Sequence, residues 1–182
     1  MPGSHWMIVS TTENFERSLE QGLTVVGLRG RHRKKAERMV VGDRVLFFVS
    51  GWDSFPATAT VSSEFFEDHS SLWINRESRP DDFPWRVRIR PNVLLAPAEY
   101  LDAHQIAPRM LYVKRWPPEQ WPLAFQGQVH LLSAQDFRLV EAEMERLRDR
   151  RGGRGPRGSP QPGSRGPNRL ALQVEGPGAP RV

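Results

Sequence analysis

The segment Gly42-Asp43-Arg44-Val45-Leu46-Phe47-Phe48-Val49 is the most strongly patterned stretch of this chain of 182 residues. A Gly-Asp turn opens directly into β-branched and aromatic side chains, the composition of a β-strand. Downstream, Gly51-Trp52-Asp53-Ser54 reads as a turn, and Ala57 to Ser62 as the strand that completes a hairpin. Upstream, His5-Trp6-Met7-Ile8-Val9-Ser10 is a short apolar run bounded by polar residues, a buried-strand pattern. The next residues offer Thr as an N-cap, and Phe15 and Leu19 at helical spacing predict a helix over 12–21 stopped by Gly22. Leu23 to Leu28 is short and β-branched, a further strand. Trp85, Val87 and Ile89 alternate with Arg86, Arg88 and Arg90, so this strand should carry one apolar and one cationic face, and Val93-Leu94-Leu95 extends it beyond Pro91. Phe137, Val140, Met144 and Leu147 mark one face of a last helix over about 134–148. Five or six strands mixed with short helices, without regular strand–helix alternation, predict an α+β domain around a small curved sheet or barrel.

Composition divides the chain near residue 148. Residues 1–148 hold 19 Lys/Arg against 19 Asp/Glu, whereas the remaining segment holds seven Arg against Asp149 and Glu175. The whole excess charge of +5 therefore belongs to residues 149–182, a Gly/Pro/Arg/Ser segment too poor in apolar surface to offset its ordering entropy. It is expected to be disordered, and either a plain extension or a weak, sequence-independent phosphate binder. Residues 1–4 resemble a cloning leader and are expected to stay outside the fold. The absence of Cys excludes disulfides, zinc–thiolate sites and thiol nucleophiles. No apolar run approaches the roughly 18 residues of a membrane span, so a soluble, cytoplasmic protein without membrane contact is expected.

The chain carries no P-loop, no G-x-G-x-x-G, no G-x-S-x-G elbow and no H-E-x-x-H. Its five histidines are scattered, without ligand-spaced neighbours. No catalytic residue, metal or cofactor is expected. Arg29, Arg31, His32, Arg33, Lys34 and Lys35 form a basic run that either engages backbone phosphates or is a solvated helix face. Arg86, Arg88 and Arg90 read as a solvent-facing stripe on a strand. Trp73 stands in a polar, irregular stretch between Ser71 and Arg76, where it either caps the core or lines a pocket. A flat indole in polar surroundings is what base stacking requires, at about 1–3 kcal/mol per base.

These residues resemble the EVE domain, a PUA-like family related to the YTH domains. The resemblance runs from Trp6 to about Leu147. It rests on Trp6 to Ser10 leading into Thr12-Glu13-Asn14-Phe15, on Gly27 followed by His32, and on Gly42 to Val49. Phe83-Pro84-Trp85-Arg86-Val87-Arg88-Ile89-Arg90-Pro91 and the closing stretch 132–144 complete it. It implies that residues 5–148 form a PUA-like pseudo-barrel of mixed strands with short helices around it. It also implies a non-catalytic module that takes one modified nucleobase of DNA or RNA into an aromatic pocket. Carried over by position, Trp73 is similar to a cage aromatic, Ser10, Thr11 and Asn14 supply polar contacts to the base edge, and Gly27 holds the close-approach position. Val26 stands where many relatives carry Trp, so Phe48, Trp52 or Trp85 would have to provide a second plate. The alternatives are a general RNA-binding PUA-like module without modification preference and a small nuclease of the kind found among ASCH-type relatives.

Overall fold

The computed structural model describes residues 3–77 and 79–153. In chain order the elements are β1 (His5–Ser10), α1 (Thr12–Glu20), β2 (Val25–Leu28), α2 (Arg33–Ala36), β3 (Arg44–Val49), β4 (Ser54–Phe55), β5 (Ala57–Val61), β6 (Phe66–Glu67), β7 (Trp85–Leu94), β8 (Leu101–Asp102), α3 (Ala103–Ile106), β9 (Val129–Leu132) and α4 (Ala134–Gly152). Short 3₁₀ turns fill much of 97–125, where the sequence suggests helices over 98–103 and 108–113. The principal strands order β2-β7-β5-β3-β1-β9. β1 and β3 pair in parallel, from His5 opposite Arg44 to Ser10 opposite Val49, and the other pairings are antiparallel. The architecture is the expected α+β pseudo-barrel, a curled mixed sheet with helices packed around it.

β3 lies near the middle of this sheet, and its alternating side chains enter two cores. Val45, Phe47 and Val49 join Trp6, Ile8, Phe15, Val26 and Val87, whereas Leu46 and Phe48 join Met7, Phe55, Phe137, Val140 and Met144 under α4. The outer strands β2 and β9 are joined by a side chain where no ladder joins them. Gln128 Nε2 donates to the Gly27 carbonyl at 2.9 Å, and its Oε1 accepts from the Arg29 N–H at 2.9 Å. Lys35 Nζ donates to the Val129 carbonyl at 2.8 Å across the same seam.

Two boundaries differ from expectation. Ser4 belongs to the fold, since its N–H donates to Asp43 Oδ1 at 2.8 Å and its carbonyl accepts from the Arg44 N–H at 2.9 Å. α4 continues past Arg148 to Gly152, and from residue 154 the expected disordered tail lies outside the described residues.

Asp43 is 1 % exposed and also accepts from Trp6 Nε1 at 2.9 Å and from the Val40 N–H at 3.2 Å. Asp43→Ala orphans three donors around the start of β3. It is expected to lower stability by about 2 kcal/mol, read as a reduced urea midpoint at unchanged slope.

Candidate functional site

A cavity of about 230 Å³ opens between the ends of β1 and β2, the start of α1 and the stretch 73–83. Its apolar wall includes Ile8, Phe15, Val26 and Phe47. Ser10, Thr11 and Gln128 supply polar groups, Trp73 and Phe83 supply rings, and Arg29, Arg31 and Glu77 complete the lining.

Trp73 is fixed from several directions. Its Nε1 donates to Ser18 Oγ at 2.9 Å, and Ser18 Oγ in turn donates to the Asn14 carbonyl at 3.0 Å. Asn14 clamps the following residue with both halves of its amide, Nδ2 donating to the Ile74 carbonyl at 2.8 Å and Oδ1 accepting from the Ile74 N–H at 2.7 Å. The Arg86 guanidinium sits over the indole at 5.1 Å, and Phe83 meets it edge-on at 5.9 Å with 66° between planes. The indole also lies against Gly27, so closely that a Cβ there would stand 2.2 Å from Trp73 Cζ3. The Ile89 N–H donates to the Thr24 carbonyl, which sets the ladder phase of β2 on β7. Gly27 therefore turns its N–H and C=O away from β7, and Gln128 takes the carbonyl.

Arg86 is the buried hub of this wall. It is fully buried, with Nε donating to the Phe83 carbonyl at 3.1 Å, Nη2 to the Ser70 and Asp82 carbonyls, and Nη1 to Ser70 Oγ at 2.7 Å. Asp68 pairs with it at 3.2 Å. Burial pulls the Arg86 pKa below the usual arginine value, against the pull of Asp68 and Asp82. Hydrogen bonds from Ser70, helped by the charge of Arg86, hold the Asp68 carboxyl below its usual range. Phe83, whose carbonyl Arg86 holds, has a left-handed backbone at φ 53°, and Asp81 Oδ1 accepts its N–H at 2.9 Å. A bulky residue keeps that conformation only where its surroundings over-determine it.

Of the residues expected to form a base pocket, Ser10, Thr11, Asn14, Val26, Gly27 and Trp73 line the cavity. Asn14 is turned to Ile74, so it positions the Trp73 loop instead of offering an unengaged edge. Thr11 Oγ1 accepts from the Asn14 N–H at 3.3 Å as the helix cap. Phe48 is on the wrong face of β3. It stacks on Phe125 at 4.3 Å in the other core, and Phe47 takes the cavity side. Trp85 also lies outside the lining, with Nε1 donating to the Gly30 carbonyl at 3.0 Å and Arg33 over its ring at 4.8 Å. Trp52 packs edge-on against Phe15, at 6.2 Å. Gln128 carried no signal in the sequence beyond its residue type, and Phe83 stood out only as the first residue of the aromatic and basic stretch 83–91, not as a pocket residue.

The basic run divides. Arg29 and Arg31 reach the cavity mouth, whereas His32, Arg33, Lys34 and Lys35 do not line it. Burial, with Lys35, Arg31 and Arg29 nearby, pushes the His32 pKa down to about 4, so at neutral pH it contributes no charge for phosphate. Arg33 pairs with Glu37, Lys35 is tied to Val129, and Lys34 is exposed. Arg88 and Arg90 are exposed on the expected cationic face, while Arg86 on the same face is covered by the segment that follows β6 and is buried. Among the described residues no His, Asp and Glu side chains gather as a set of three or more that could hold a metal, and no helix is long and apolar enough to cross a membrane.

Similar folds occur in solved structures of low sequence identity. The YTH domain of Zygosaccharomyces rouxii MRB1 protein, in complex with N6-methyladenosine RNA, superposes with a TM-score of 0.58 at 14 % identity, covering 79 % of this chain and 87 % of that one. The YTH domain-containing protein mmi1, in complex with RNA, gives 0.61 at 10 % identity over 84 % and 87 % of the two chains. Human THYN1 protein, in complex with 5-methylcytosine-containing DNA, gives 0.52 at 14 % identity over 79 % and 98 %. At these identities the likeness establishes the fold. No curated protein sequence matches the chain significantly. The sequence model of the EVE domain matches residues 4–115, which hold β1, α1, β2, the Trp73 segment and every cavity-lining residue except Gly127 and Gln128, and the chain belongs to the EVE domain family.

Proposed function

We propose that the protein is a non-catalytic reader of a modified nucleobase in DNA or RNA, and that the cavity beside Trp73 receives the base. The observation that carries this reading is the indole itself, a pinned flat ring bordering a cavity with apolar and polar walls. About 230 Å³ falls below the roughly 300–1,000 Å³ of sites for drug-sized ligands and suits one planar heterocycle. Ser10, Thr11 and the Gly27 N–H are the groups available to a base edge, and Ile8, Phe15 and Phe47 offer an apolar seat for a methyl group. A base leaving its stack costs a few kcal/mol, offset by stacking at about 1–3 kcal/mol and by edge hydrogen bonds. The fold is shared with domains bound to N6-methyladenosine RNA and to 5-methylcytosine DNA, which supports a nucleic-acid partner of this kind.

The test is calorimetry with matched modified and unmodified nucleosides and short oligonucleotides. A modified ligand is expected to bind at least about fourfold more tightly than its unmodified counterpart, the value of burying one methyl group at about 0.8 kcal/mol. Trp73→Ala should weaken that binding roughly 10- to 100-fold, the equivalent of its stacking energy. Equal affinity with and without the methyl group would make this a general nucleic-acid-binding module. Wild-type affinity in Trp73→Ala would remove the cavity as the site.

A further inference from the structure

The cations at the cavity mouth already hold an anion. Arg29 Nη1 lies 2.8 Å from Glu77 Oε2, and Arg31 Nη1 lies 3.2 Å from the same oxygen. Asn75 places the carboxylate there, its Oδ1 accepting from Arg29 Nη1 at 3.0 Å and from the Glu77 N–H at 2.9 Å. Asp81 reaches the same turn, its Oδ2 accepting from the Gly30 N–H at 2.9 Å. Arg29 is 14 % exposed and therefore held in place, whereas the Glu77 side chain is half exposed and can return to water. Two guanidinium groups converging on one oxygen form the donor set that a phosphate takes, and arginine suits that geometry better than lysine. All three side chains line the cavity.

We propose that Arg29 and Arg31 form a phosphate site whose resident occupant in the free protein is Glu77, and that an incoming nucleotide phosphate enters by displacing this carboxylate. The proposal rests on the base-reading function in one respect: the phosphate belongs to the nucleotide whose base enters the cavity. Glu77 opposes every phosphate alike. A nucleotide whose base also fills the cavity offsets the exchange, while bare backbone does not. The carboxylate thus suppresses binding that depends on charge alone and leaves base-dependent binding favoured.

The test compares Glu77→Gln with Glu143→Gln in the full chain. Both remove one negative charge, and Glu143, on α4 and outside the cavity lining, pairs with Arg146 of the same helix and with Arg109. Each protein is titrated with inorganic pyrophosphate, with a modified nucleoside, and with a short oligonucleotide carrying it. Glu77→Gln is expected to bind pyrophosphate and oligonucleotide roughly three- to tenfold more tightly than wild type, the range that one or two half-exposed ion pairs convert to. Nucleoside affinity should stay the same, and Glu143→Gln should behave as wild type throughout. Wild-type or weaker pyrophosphate binding by Glu77→Gln overturns the proposal, and so does an equal gain in Glu143→Gln. Pyrophosphate has no base, so this arm decides on Glu77 even if no nucleoside binds, an outcome that would count against base reading alone.

Discussion

Gly27→Ala, the addition of a single methyl group, is expected to abolish base binding and to cost about 3 kcal/mol of stability. The added Cβ would stand 2.2 Å from Trp73 Cζ3, 2.8 Å from Cη2 and 2.9 Å from Cε3. A ring cannot yield as the end of a flexible chain can. This one is also tethered by Ser18 at Nε1, backed by Arg86 and fixed through Ile74 by Asn14. Gly27 cannot retreat readily either, because Gln128 holds its carbonyl and Val26 beside it is paired with Val87. The substitution must therefore expel the indole or part β2 from β7, and both outcomes remove the flat wall of the cavity. Thermal unfolding of a domain this size should drop by roughly 6–12 °C, and calorimetry with the best modified nucleoside should show no heat of binding. A Gly27→Ala protein that melts and binds as wild type would show that the indole does not depend on this contact.

The contrast between Trp73 and its surroundings explains how much of the site the sequence disclosed. Trp73 was legible because a large apolar ring in a polar stretch needs a reason. The strands were legible from β-branched runs and alternation, and their mixed arrangement around short helices followed from segment lengths. Phe47 and Phe48 were not separable, because β3 is buried on both faces and its alternation carries no polar marker. Arg86 was misplaced by the very alternation that located Arg88 and Arg90 correctly. β6, two residues long, pairs across that end of β7, and the following segment folds over the guanidinium. A two-residue strand has no periodicity to detect. Asn14 has the composition of a base-edge reader and the geometry of a clamp, a distinction fixed by a partner 60 positions away. Gln128 joins the two outer strands through its side chain, and side-chain closure of a barrel leaves no pattern in a sequence.

Arg86→Leu is expected to cost about 3 kcal/mol and, with it, most of the base affinity. Removing one member of a buried ion pair typically costs about 3–5 kcal/mol, because the other charge is left buried and unpaired. Here the partner carboxylate of Asp68 is 42 % exposed and can rehydrate, so that part of the penalty is reduced. What remains are the carbonyls of Ser70, Asp82 and Phe83, each losing a charged donor inside the wall. Leucine fills some of the volume but satisfies none of them, and Phe83 loses one of the two contacts that hold its left-handed backbone. The 68–83 segment should therefore loosen while the sheet persists, so hydrogen exchange should accelerate there and not in β1, β3 or β5. Trp73 would lose the cation over its face and its fixed orientation, and nucleoside affinity should fall roughly tenfold or more. Arg86→Lys keeps the charge without the fork, so it should recover the pairing with Asp68 but not all of the carbonyl contacts, giving an intermediate midpoint. An Arg86→Leu protein with wild-type exchange over 68–83 would mean that β6 and Asn14 alone hold the segment, and that the buried guanidinium is dispensable to the cavity wall.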